Sequence, residues 1–168
     1  MKSRYFSLLI LLFLALNGCK KDGFGPLTDS RPEVPVTVAN AYDYRPAPTV
    51  RASKAENKIV ITLQVPASSG RTIKEVTKIA SSTTANFTAI YSGTTVGTGT
   101  GNLWSATPIP VNAQTYTFTT TFDEWKTKTG TTAVPASDML LSRDFYFQLT
   151  LDNDQVVIPT NIRVWVVD

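Results

Sequence analysis

Cysteine occurs once in the 168 residues, as Cys19, and histidine does not occur. Those two facts bound the chemistry. The commonest general base and the commonest metal ligand are missing, so Ser-His-Asp and Cys-His enzymes and histidine-based zinc sites are excluded. One cysteine cannot close an intramolecular disulfide, so stability must come from packing. The acids offer little more. Asp123 and Glu124 are adjacent and Asp138 stands in a polar stretch, whereas a glycosidase needs two carboxylates at a set separation in a cleft. Adjacent acids are more simply a helix N-terminus, where they complement the dipole. Asp152-Asn153-Asp154 carries the clustered oxygens that Ca²⁺ takes, without EF-hand spacing or its bidentate Glu. Asx residues are also what a tight turn selects; a turn is expected, with no metal. No catalytic residue is assigned. The remaining candidates are Trp165, Trp104 and Trp125, whose rings could stack on sugar faces or pack on a partner protein. The same rings could equally cover the ends of a core.

Cys19 has its own context. Lys2 and Arg4 precede an apolar run centred on Leu8-Leu9-Ile10-Leu11-Leu12-Phe13-Leu14, and Leu16-Asn17-Gly18 leads into Cys19. The run is too short to span a bilayer, which takes about 20 apolar residues. A cleaved targeting signal is the better account. Leu16-Asn17-Gly18-Cys19 resembles a bacterial lipobox, with Asn17 where Ala or Ser is more usual. The resemblance implies cleavage after Gly18 and a lipid on the Cys19 sulfur, with no other cofactor. At about 0.8 kcal/mol per buried CH₂, two or three chains hold a protein to a membrane durably. Lys20 at the following position does not resemble the Asp-type inner-membrane retention signal, which implies the outer membrane. Lys20-Lys21-Asp22 is a weak match to the Lys-plus-acid runs of surface-exposed lipoproteins.

Lys2 and Arg4 leave with residues 1–18, so 16 basic and 13 acidic side chains become 14 and 13. The mature chain carries no basic excess that would argue for nucleic acid.

Three regions follow. Residues 1–18 are the signal. Residues 19–48, with Pro26, Pro32, Pro35, Pro46 and Pro48, form an extended tether, in which residues 34–38 could make a short edge strand. Residues 49–168 alternate as strands do. Ile59, Ile61, Leu63 and Val65 share one face, as do Tyr116, Phe118, Thr120 and Phe122, and also Phe145, Phe147, Leu149 and Leu151. Residues 72–80 fit a helix by the spacing of Ile73, Val76 and Ile79, but β-branched content favours a strand. Phe87, Ala89 and Tyr91 fall in strand phase. Residues 123–128 could make one helical turn before Gly130. Residues 155–167 read as one last strand, with Phe145 opposite Ile162, Leu149 opposite Ile158 and Asp144 opposite Arg163. Pro159 is the single conflict, expected to mark a bulge or an unpaired position. Trp165 falls on the outward phase.

About seven short strands with Gly, Pro and Asx turns indicate an all-β antiparallel sandwich. Residues 50–168 resemble immunoglobulin-like or fibronectin type III-like domains, without the Cys-Trp-Cys core of antibody domains. The layout resembles that of Bacteroidota lipoproteins, some of which sit near polysaccharide-uptake systems. The expectation is a non-enzymatic, lipid-anchored accessory module that meets an envelope protein partner. The alternative is a carbohydrate-binding surface lipoprotein that uses Trp165 foremost.

Overall fold

Alternation of β-branched and aromatic residues builds ten strands. The structure is a computed structural model and describes residues 33–99 and 101–168. In chain order the strands are β1 (Thr37–Val38), β2 (Thr49–Ser53), β3 (Ile59–Gln64), β4 (Ile73–Ser82), β5 (Leu103–Ser105), β6 (Ile109–Ala113), β7 (Thr115–Thr120), β8 (Asp144–Leu151), β9 (Val156–Val157) and β10 (Arg163–Val167). Two short helices interrupt them, α1 (Thr88–Ser92) and α2 (Phe122–Thr129). The protein is all-β. One sheet runs β1-β3-β7, one runs β5-β4-β8-β9 with β6 also on β4, and β10 pairs with β2. Most pairs are antiparallel; β10 and β2 run parallel, against the expectation of a wholly antiparallel fold.

The inward faces enclose one core. Ile59, Ile61 and Leu63 of β3 meet Ile73, Val76, Phe145, Phe147 and Leu149 of β4 and β8, all within 1% of full burial. The spacing of three along β4 has a simple cause. The β4–β8 register slips between Ile73 and Glu75 and again between Val76 and Lys78. Each slip inserts one extra residue, and a bulge flips the side-chain phase. A strand with two bulges therefore buries every third residue and imitates helical spacing.

Residues 88–92 are helical where strand phase was expected. Ala89 and Ile90 of α1 are both buried, in a second cluster with Ala80, Leu103 and Tyr146 on the outer side of β4 and β8. Phe87 packs edge-on against Tyr146 at 5.0 Å. The tyrosine hydroxyl donates to Thr83 O at 2.6 Å and accepts from Asn86 N at 3.1 Å. Burying two successive residues against that surface requires a helical turn, which strict alternation cannot supply. In α2, Thr121 caps the Glu124 N–H at 3.0 Å and Gly130 ends the helix at φ 70°.

The tether boundary also moves. Val34, Val38 and Ala47 are buried, and β1 pairs with β3 through Thr37–Gln64 and Val38–Leu63. Among the described residues the packing thus extends back to Val34, ahead of residue 49. Removing residues up to 48 should therefore lower unfolding stability by about 3–6 kcal/mol through Val34 and Val38 alone. Urea unfolding of the truncated chain against the full chain checks this.

Candidate functional site

The C-terminal segment decides where the outward side chains stand. β9 pairs with β8 through Leu149–Val157 and Thr150–Val156, while Phe145 bridges Ile162. The expected Phe145–Ile162 contact forms, but Leu149 meets Val157 and not Ile158. The register changes by one residue between the two contacts, across Pro159, which has no N–H to give a ladder. The chain then leaves β8, and β10 joins β2, pairing Arg163 with Thr49 and Trp165 with Arg51. The single expected strand over 155–167 is thus two strands in two sheets.

A buried polar contact sits at this switch. Asn161 Nδ2 donates to Asp144 Oδ2 at 2.7 Å, with both residues buried. Burial pushes the Asp144 carboxyl above its ordinary value; hydrogen bonds from Asn161 and Thr84 and the charge of Arg163 work the other way. Arg163 therefore acts on Asp144 as expected in sign. The direct partner of the carboxylate is Asn161, because β10 has turned toward β2 and the Arg163 N–H bonds Pro48 O at 2.8 Å.

Outward of β2 and β10 lies a cleft of about 330 Å³ lined by Tyr42, Asp43, Arg45, Thr49, Arg51, Asp138, Arg163 and Trp165. That is the lower end of the size range of small-molecule sites. The Arg51 guanidinium lies 3.7 Å from the Tyr42 ring centroid, a stacked cation–π contact. Asp43 is committed locally: its Oδ1 accepts from Tyr44 N at 2.7 Å and Arg45 N at 3.2 Å and lies 3.8 Å from Arg45 Nε. On its other side β10 is flanked by residues 138–141, with Asp138 N donating to Val166 O and Leu141 N to Val164 O. This antiparallel flank brings Asp138 into the cleft.

The other indoles are not platforms. Trp104 on β5 is 7% exposed and packs against Phe118 and Phe145 at 5.9 and 5.6 Å. Trp125 on α2 is fully buried, and its Nε1 has no hydrogen-bond partner among the described residues. Both are corrected from ligand candidates to core. Lys128 donates to Trp104 O at 3.3 Å, its ammonium 6.0 Å from the indole centroid. Asp123 is held by Lys126 at 2.8 Å and Asn57 at 2.9 Å, and Glu124 accepts from Thr120 Oγ1 at 2.7 Å. Asp138 and Asp123 line different depressions. Asp152 faces Arg71 at 3.8 Å and Asp154 pairs with Lys74 at 2.6 Å. Their run is a turn, with Asp154 at φ 63° and its N–H on Leu151 O. Among the described residues no three His, Cys, Asp or Glu converge as metal ligands, and no helix is long and apolar enough to cross a membrane. Gly18 and Cys19 lie outside the described residues.

Outward phase marks Arg51 between inward Val50 and Ala52, and Arg163 and Trp165 between Ile162, Val164 and Val166. That signal was present in the chain; the parallel pairing that joins the two sets was not. No family model matches the chain, and no curated protein or solved structure does.

Asp144 yields a signed prediction. With its folded pKa raised above the unfolded 3.8, the folded state binds more protons than the unfolded state between the two values. The contribution of Asp144 to stability therefore declines as pH rises through that window, and ionisation leaves a constant penalty above it. In Asp144→Asn that decline should vanish, seen as the wild-type-minus-variant difference in urea midpoint between pH 3 and 7. Asn161→Ala, which strips a donor from a buried carboxylate, should cost about 1–3 kcal/mol at pH 7.

Proposed function

We propose that this protein is a lipid-anchored, non-enzymatic binding module of the bacterial cell envelope, and that it holds a glycan in the cleft over β2 and β10. The single observation that carries this is the partly exposed Trp165, which lines a cleft beside the stacked Tyr42–Arg51 pair. A flat aromatic face meets the C–H faces of a pyranose ring, and polar groups at its margin take the hydroxyls. Trp165 emerges from a backbone paired on both sides, by Arg51 of β2 and by Leu140, so the platform is held in place before a ligand arrives. In this account the strands form an immunoglobulin-like sandwich that serves as a rigid mount.

Cys19 carries the lipid in this account, and residues 20–32 link it to the packed unit. At about 3.3–3.6 Å per residue a segment of that length reaches about 45 Å at most. The outer membrane is the proposed site, because Lys20 after Cys19 does not resemble the Asp-type inner-membrane retention signal.

Two measurements test the proposal. In cells, Cys19→Ser should abolish labelling by a fatty-acid probe and release the protein from the membrane fraction. For the full chain in detergent micelles, affinity electrophoresis through gels containing a panel of polysaccharides should show retardation by at least one. Trp165→Ala should weaken that binding at least tenfold while the variant still unfolds in one cooperative transition. Absence of retardation across the panel would set the glycan aside in favour of a protein partner, to be found by crosslinking in intact cells.

A further inference from the structure

The cleft is not neutral, although the chain nearly is. Three arginines line it, Arg45, Arg51 and Arg163, against two acids, Asp43 and Asp138. Asp43 is occupied by two backbone N–H groups and by Arg45. Among the described residues neither Arg51 nor Arg163 has a carboxylate within 4.0 Å, although Arg163 is near enough to Asp144 to act on its charge. Arg51 uses only the face of its guanidinium, against Tyr42. Its N–H donors point outward around the rim in a fixed plane, the arrangement that suits a carboxylate or a sulfate.

The register gives the spacing. Arg51 is the cross-strand neighbour of Trp165, about 4.8 Å away, and Arg163 precedes Trp165 by two residues on the same face, about 6.6 Å along the strand. At these backbone spacings both arginine side chains lie within reach of a sugar ring laid on Trp165.

We propose that the Trp165 cleft selects acidic glycans, with Arg51 and Arg163 holding an anionic oxygen group, carboxylate or sulfate ester, on the ring stacked against Trp165. This rests on the glycan-binding role proposed above and narrows it to a charge class. Charge-assisted hydrogen bonds of this kind are strong in low salt and weaken as ions screen them.

The test uses the full chain in detergent micelles and three polymers: polygalacturonate, a sulfated galactan and the unsulfated galactan. Retardation is measured at 20 and 300 mM NaCl. At low salt one or both charged polymers should bind at least tenfold more tightly than the neutral galactan, and high salt should remove most of the difference. Which charged polymer binds distinguishes carboxylate from sulfate. Arg51→Gln and Arg163→Gln should each cost at least fivefold on the charged polymer and reduce the salt dependence. Arg51 is exposed, so its variant keeps the unfolding midpoint and separates binding from folding even if Arg163→Gln disturbs Asp144. Equal binding of neutral and charged galactan would overturn the charge selectivity while leaving glycan binding intact. Failure of all three polymers, alongside the wider panel, would overturn both.

Discussion

The point at which the chain leaves one sheet for another governs the candidate site. Past Ile162 the backbone could have continued along β8 as an ordinary hairpin. Pro159 shifts the register of that ladder by one residue, and the buried Asn161–Asp144 hydrogen bond sits where the departure occurs. A carboxylate this buried is costly unless its acceptor positions are filled, so Asn161 and Thr84 hold the switch in one geometry. Everything outward of β2 and β10 inherits its position from that choice. Had β10 stayed on β8, Trp165 would not stand next to Arg51.

The core supplies the rigidity behind the cleft. Phe118, Phe145 and Phe147 pack with ring centroids 5.5–5.6 Å apart, and Trp104 joins them. Tilted and edge-on aromatic contacts add about 0.5–1.5 kcal/mol each beyond the area they bury. The two tryptophans best placed to fill that volume are consumed by it, which leaves Trp165 as the indole that can meet a ligand. In the proposed account one residue type serves both stability and recognition, separated by the phase of its strand and by the sheet beneath it.

Much of the fold was legible from alternation. Ile59, Ile61 and Leu63, and Phe145, Phe147 and Leu149, declared inward faces that the structure keeps. The outward phase of Trp165 was legible for the same reason. What misled was local. Ile73, Val76 and Ile79 mimic a helix because two bulges reset the phase of β4, and Phe87, Ala89 and Tyr91 mimic a strand although a helix buries Ala89 with Ile90. The prolines around residues 34–48 suggested a tether, yet Val34 and Val38 carry that segment into the core. The parallel pairing of β2 with β10 has no signature in either strand. It depends on residues more than a hundred positions apart, so most of the cleft, Tyr42 and Arg51 above all, could not be assembled from the chain alone.

The most direct test of the account is an amide chemical-shift map of the isotope-labelled full chain titrated with an acidic oligosaccharide. The account predicts saturable shifts concentrated at residues 42–51, 138–140 and 163–165, with the indole N–H of Trp165 moving and that of buried Trp125 still. Shifts centred instead on the Thr-rich outer face of β3 and β7, or none at saturating ligand, would contradict it.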